Sequence, residues 1–179
     1  LQEQLFYKDI PFVQKHIKHF PAALVKGMGN YLCLDRMENE RQGLQYYVKN
    51  RDFLRLINIT EDPESSFNGD FETLEFQLPA EIRSKVHADS DQCAWSKCNF
   101  FSECYVRKMR VRAANAQVMV VNHTLLLIDA AMDGFLLPDR DLIIVDEAHH
   151  LEEEATRVFT VTISQARVST LLAQRMLKD

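Results

Sequence analysis

Three short aliphatic runs stand out from a background of helical spacing: Ala22-Ala23-Leu24-Val25, closed by Lys26-Gly27; Val118-Met119-Val120-Val121; and Leu142-Ile143-Ile144-Val145. Each is strand-length and nearly continuous in apolar character, as expected of strands buried on both faces of a parallel sheet. Helical patterns surround them. Residues 1–20 read as a helix in two pieces, with Pro11 marking a turn between them. Thr124 to Met132 follows the second run, and Leu151 to Val158 follows the third. Alternation of strand and helix predicts an α/β core built on a parallel sheet. A charged, intermittently apolar section from about Asp35 to Asp91 interrupts it and reads as an insertion. Within it Tyr46 to Ile59 has helical spacing, Asp62 to Asp70 is loop chemistry, and Pro79 to Val86 is a short helix with proline near its start.

The third run carries the most pointed chemistry. Its four aliphatic residues stop at Asp146 and Glu147, so a buried strand would deliver two adjacent carboxylates to its carboxyl end. Ligands of open α/β sheets bind there, and such a pair can hold Mg²⁺ and position a water at a nucleotide phosphate. The plainer reading is a strand ending in surface acids, with Asp146 capping the following helix. Glu152, Glu153 and Glu154 are most simply surface charge near that helix's N-terminus.

The four cysteines, Cys33, Cys93, Cys98 and Cys104, fall in or beside the insertion. An insert poor in apolar residues is not expected to bury enough surface to fold alone, which makes a metal centre a sensible staple. Thiolates favour zinc or iron–sulfur clusters. The C-x4-C-x5-C triplet with a distant fourth lacks the close pairs usual in zinc knuckles, while a four-iron cluster offers four separated ligand positions. On spacing alone the two stand about level, and free or disulfide-bonded thiols remain a third option.

Bulk composition narrows the partners. Among 179 residues, 21 basic against 26 acidic side chains leave a formal net charge of −5, so nucleic-acid binding would need a local patch. Arg107-Lys108-Met109-Arg110-Val111-Arg112 is such a patch on a probable helix, with Trp95, Phe100, Phe101 and Tyr105 close by in sequence. Basic runs are usually solvated faces and aromatics beside metal sites usually pack a small core; contact with single-stranded DNA is the competing reading. No apolar run reaches membrane-spanning length, and no signal-peptide pattern opens the chain. The chain begins at Leu1 inside a helical pattern and ends inside another, Ser164 to Asp179, which reads as a fragment of a longer protein.

Taken in order, these segments resemble bacterial DinG-type helicases, relatives of XPD, and are most similar to the YoaA-like branch. Leu1-Gln2-Glu3-Gln4-Leu5 with Asp9-Ile10-Pro11 resembles motif Ia. The run from Lys26 to Cys33 resembles the K-G-R-x-N-Y-L-C approach to a cluster domain, and Gly69-Asp70 and the cysteine triplet follow. Ala116 to His123 resembles the A-D-V-x-V-V-N-H return to the motor core, and Asp146-Glu147-Ala148-His149 matches motif II of superfamily 2 helicases. The chain departs from the pattern at Met28, where Arg is usual, and it contains no G-x-x-x-x-G-K-[ST] loop.

The resemblance implies a partial RecA-like domain at residues 1–30 and 115–160, an inserted, mainly helical iron–sulfur domain at 31–114, and the start of an arch-type insertion at 161–179. It implies a 4Fe-4S cluster on Cys33, Cys93, Cys98 and Cys104, Mg²⁺ on Asp146, a water-orienting base in Glu147, and a coupling role for His149. His150 is better read as a solvated helix residue. DNA contacts would come from Gln2, Gln4, Arg107, Lys108, Arg110, Asn122 and His123, although capping or packing suits Asn122 and His123 equally. The implied activity is ATP-dependent unwinding of single-stranded and forked DNA in repair or replication, in the bacterial cytoplasm at the nucleoid, by a monomer that meets replication or repair proteins. The fragment by itself is expected to be inactive towards ATP. The alternative is a non-enzymatic zinc- or cluster-stapled binding module with a vestigial motif II.

Overall fold

The computed structural model describes residues 2–43, 50–161, 163, 165, 168 and 169. Two compact units divide the chain, Leu1–Leu125 and Leu126–Asp179. The expected helical run from Ser164, and the first part of that expected over Tyr46 to Ile59, lie outside the described residues apart from isolated positions.

The first unit opens with α1 (Gln2–Gln4), a π-helical turn (Leu5–Asp9) and α2 (Ile10–His16), which run on without a break. Pro11 makes no turn here, contrary to the sequence expectation. It lies in the first turn of α2, and Ile10 N–H reaches back to Leu5 O across the widened turn. Proline lacks an N–H and crowds the carbonyl four residues earlier, and a π turn relieves both problems without ending the helix.

Two strands form: β1 (Ala22–Leu24) and β2 (Val118–Val120), paired in parallel with Ala23 opposite Met119. The mixed α/β character holds, with a sheet of two strands among the described residues. The third expected strand does not form. Leu142 to Val145 take no strand conformation and are 76%, 49%, 86% and 36% exposed. An apolar run becomes a strand only when a neighbour supplies the ladder and a layer covers its faces.

Between β1 and β2 the chain builds α3 (Leu34–Gly43), α4 (Arg51–Glu61), α5 (Ala80–Val86) and α6 (Tyr105–Ala114). Asn50 starts α4 by accepting the N–H groups of Asp52 and Phe53 at its Oδ1, 2.9 and 3.3 Å away. The segment between β1 and β2 gathers its scattered apolar side chains into one core. Leu32, Met37, Phe53, Leu56, Ile57, Phe71, Ile82 and Val86 pack together, with Phe53, Leu56 and Val86 fully enclosed. Each such side chain contributes about 1.5–3 kcal/mol. Apolar positions thinly spread in sequence converge because the α4 face Phe53-Leu56-Ile57 has helical spacing. Isolated antiparallel bridges, Tyr31 with Asp70 and Leu32 with His87, tie the start of the insert to its middle.

The second unit contains most of α7 (His123–Ala131) and then α8 (Leu151–Phe159), preceded by a 3-10 turn at Ala148–His150. Glu152, Glu153 and Glu154 fill the first turn of α8, where negative charge suits the helix dipole.

Candidate metal centre

Two widely separated stretches carry the four thiols to one place, Cys33 from the first and Cys93, Cys98 and Cys104 from the second. Cys33 follows the Leu32 bridge, donates its N–H to Val86 O at 2.8 Å, and accepts Met37 N–H at 3.0 Å as the first carbonyl of α3. Cys93 ends the 3-10 turn Ser90–Gln92, and its Sγ receives Trp95 N–H at 3.4 Å. Cys98 ends the next turn, with its N–H on Trp95 O at 3.0 Å. Cys104 stands directly before α6 and accepts Lys108 N–H at 2.9 Å. Trp95, between the first two of the triplet, has a left-handed backbone with φ 50°. Such a conformation is strained for a bulky residue and persists only where its surroundings hold it.

All four cysteines line one largely apolar cavity of about 490 Å³, together with Leu32, Val106, Trp95, Phe100 and Phe101. They are half-buried free thiols. Burial pushes the Cys33 thiol up, with the Asp35 carboxylate and Cys98 adding to it against backbone donors at Arg36 and Asp35. Burial also raises Cys98, and Asp35, Cys104 and Cys93 push in the same direction. Ligation by a metal would therefore release protons. Among the described residues no three of these sulfurs lie within 4.8 Å of one another. A single tetrahedral zinc with thiolate ligands needs separations of about 3.8 Å. Four thiols around one apolar cavity are a donor set that suits zinc or an iron–sulfur cluster.

Basic and aromatic side chains ring the cavity. The Arg107 guanidinium lies 4.9 Å from the Phe101 ring and that of Arg110 4.9 Å from the Trp95 ring; Lys108, which is not in the lining, has its Nζ 5.7 Å from the Tyr105 ring. Arg110 also approaches Met28 Sδ at 3.9 Å. Val106, Met109 and Ala113 turn the other face of α6 inward, leaving Arg107 and Lys108 exposed. Arg107 and Arg110 thus lie over rings that line the thiol cavity.

Lys26, Asp70, Glu3 and Glu72 form an ionic knot that the sequence reading did not connect. Lys26 is 7% exposed, and its Nζ meets Asp70 Oδ2 at 2.7 Å, Glu3 Oε1 at 3.1 Å and the Glu72 carboxylate. Burial works to lower the Lys26 pKa, but the three carboxylates outweigh it and hold the ammonium well above its ordinary value. The bond from Lys26 in turn depresses Glu72. Burial, reinforced by Asp70, pushes Tyr31 up to about 12. The knot joins α1, the end of β1 and the middle of the insert. Its available signal was the presence of both Lys26 and Asp70 in the recognised segments.

The other expected residues are more scattered. Asn122 Oδ1 accepts Leu125 N–H at 2.8 Å and so caps α7, which leads off with His123. Gln4 is exposed and Gln2 half-buried in α1. Asp146 Oδ1 accepts Glu147 N–H at 2.9 Å. Glu147 is left-handed, φ 50°, and its Oε2 lies 3.3 Å from His149 Nδ1. Because the Leu142–Val145 strand is missing, Asp146 and Glu147 stand on an exposed connection rather than at a strand terminus.

No family model matches the chain. It is 34% identical over 96% of its length to the ATP-dependent DNA helicase YoaA of Haemophilus influenzae, and 33% identical over 96% to YoaA of Escherichia coli. It is 32% identical over 93% to the ATP-dependent helicase DinG of Mycobacterium tuberculosis. The chain spans 28% of the length of each of these relatives. It is homologous to one segment of DinG- and YoaA-named helicases, as its motifs suggested.

Proposed function

We propose that the intact protein carrying this chain is an ATP-dependent, iron–sulfur DNA helicase of superfamily 2. It would couple ATP hydrolysis to translocation on single-stranded DNA and duplex unwinding in repair or replication, with forked DNA among its substrates. This chain would supply parts of a RecA-like first motor domain (1–30 and 115–160), the cluster insert (31–114) and the beginning of a further insertion (161–179). One observation carries the reading: four cysteines, one at position 33 and three between 93 and 104, line a single cavity, in a chain whose relatives are named helicases.

Cys33, Cys93, Cys98 and Cys104 would hold a 4Fe-4S group, which when bound supplies a covalent cross-link between the start and the last part of the insert. Arg107, Lys108 and Arg110 would neutralise backbone phosphates beside it. Phe101 and Trp95 would offer faces to unpaired bases. Gln2 and Gln4 on α1, and His123 with Asn122 at the start of α7, would complete the DNA track. In the nucleotide site Asp146 would hold Mg²⁺, Glu147 would orient the attacking water, and His149 would link that site to the rest of the motor.

Iron, acid-labile sulfide and zinc are the quantities to measure after anaerobic purification. About four irons and four sulfides per chain, lost in Cys98→Ser, is the expected result. One zinc without sulfide would overturn the cluster and favour a zinc-stapled binding module. In the intact protein, Glu147→Gln should abolish ATP turnover while leaving single-strand binding in place; unchanged turnover would remove the role assigned to Glu147.

A further inference from the structure

Among the described residues two buried carboxylates, Asp70 and Asp129, carry ion pairs, and the pairs differ in reach. Asp129 is wholly enclosed and meets Arg140, eleven residues on, at 2.5 Å. Lys26 instead joins segments far apart in the chain. Its Nζ meets Asp70 Oδ2 at 2.7 Å, Glu3 Oε1 on α1 at 3.1 Å, and the Glu72 carboxylate. Those are three acceptors for the ammonium's three N–H groups.

Both the lysine and its buried partner are held from behind. Val25, immediately before Lys26, donates its N–H to Val120 O at 2.9 Å and so continues the β1–β2 ladder. Asp70 donates its N–H to Asn68 Oδ1 at 2.9 Å, its Oδ1 accepts Glu72 N–H at 3.0 Å, and its carbonyl accepts Thr73 N–H at 3.0 Å. The ammonium is therefore a fixed point between the sheet and the insert, and Glu3 brings α1 to it. The Glu3 side chain is half-exposed. Such a pair contributes little to stability; what it supplies is a fixed direction. Tyr7, four residues on, feels the same junction: burial raises its pKa, Lys26 opposes the rise, and Asp70 and Glu3 add to it. Gln4 follows Glu3 in the helix, about 100° further round, so pinning Glu3 sets the direction in which Gln4 projects. Every one of these contacts is made between residues of this chain, so the junction does not depend on neighbours that the rest of the intact protein would bring.

We propose that the Lys26 junction positions α1 on single-stranded DNA, with Glu3, held by the ammonium, fixing where Gln4 meets the strand relative to the cluster insert; this rests on the reading of Gln4 as a DNA contact given above. Lys26 and Glu3 are positioning residues, since neither touches the nucleic acid. The sign of the effect separates positioning from plain electrostatics. Removing a carboxylate near a bound polyanion strengthens binding by charge alone. Removing one that aims a contact weakens it.

The test measures the affinity of the intact protein for oligothymidylate, at fixed salt, by fluorescence anisotropy. Gln4→Ala should weaken it about two- to tenfold, the loss of one hydrogen bond. Glu3→Gln should weaken it by a similar factor, with bound iron and the urea midpoint little changed. In the Glu3→Gln background, Gln4→Ala should then cost less than about twofold more. Glu72→Gln is the matched control, because it removes the same charge from the same ammonium, on another half-exposed side chain, and leaves α1 untouched. It should bind as tightly as wild type or more so. If Glu3→Gln tracks Glu72→Gln in a protein that Gln4→Ala weakens, the positioning is overturned and Gln4 stays a DNA contact. Additive losses from Glu3→Gln and Gln4→Ala would overturn it too. So would a fall in iron or in the urea midpoint of Glu3→Gln, which would reduce the junction to a folding element. Undiminished affinity in Gln4→Ala would instead remove the DNA-contact reading, and the positioning with it.

Discussion

Replacing Lys26 with Met isolates the ionic knot, because Met keeps most of the aliphatic stem and removes only the ammonium. Of its three acidic partners, Glu3 and Glu72 have side chains 55% and 49% exposed, and water can take over their solvation. Exposed pairs of that kind contribute about 0–1 kcal/mol. Asp70 is different: its side chain is 3% exposed, and its Oδ2 would lose the ammonium 2.7 Å away. Its Oδ1 keeps the Glu72 N–H at 3.0 Å, so it is not stripped of every partner. Breaking a buried pair on one side costs about 3–5 kcal/mol, and the surviving bond places Lys26→Met near the lower end, about 3 kcal/mol. Removing the stranded charge as well, in Lys26→Met/Asp70→Asn, should return about 2 kcal/mol of that loss, a coupling that a double-mutant cycle measures directly. Urea unfolding followed by far-UV circular dichroism, with the m-value checked for constancy, is the assay. A Lys26→Met loss under about 1 kcal/mol, or a double variant no more stable than the single one, would refute the claim that Asp70 depends on Lys26.

Gly69 has φ 90°, and a Cβ built there falls directly on the Tyr105 ring, so Gly69→Ala should destabilise the insert by more than about 2 kcal/mol in the same urea assay; an unchanged midpoint would show that Tyr105 yields freely. The pH profile has a sign fixed at both ends. The Lys26 pKa is raised, so its contribution is complete below about pH 10 and is lost as pH rises through the higher folded value. Those of Glu72 and Asp129 are lowered, so their contributions are present above about pH 4 and fade as pH falls through the depressed folded values. Thermal melts should therefore be flat across neutral pH and fall at both extremes. Neutralising Arg107, Lys108 and Arg110 together should weaken single-strand binding and flatten its salt dependence by about three counterions at most; identical slopes would identify the patch as a surface that only braces the aromatic rings.

Local pattern made much of this chain legible. The two strands that pair, the helix after the second, the short helix behind Pro79 and the acidic first turn of α8 all follow from spacing and punctuation within a few residues. The cysteines could be grouped from sequence because thiols are rare and their chemistry narrow, and the cavity they line brings all four together. Pro11 was misread because its usual effect can be absorbed by widening one helical turn. The core of the insert was hidden because its apolar residues are distant in sequence, and only folding brings Leu32, Phe53, Phe71 and Val86 into one core.

The third apolar run marks the division most sharply. Composition determines that Leu142 to Val145 favours extended backbone and that two carboxylates follow it, but a strand also needs a partner's hydrogen bonds and a covering layer. Those are properties of the surrounding fold, and here the four residues stay exposed. The same distinction holds for charge. Sequence determined that Lys26, Asp70, Asp129 and Arg140 are ionisable; tertiary structure decided which of them lost water and therefore had to find each other, because the need for a partner arises only on burial.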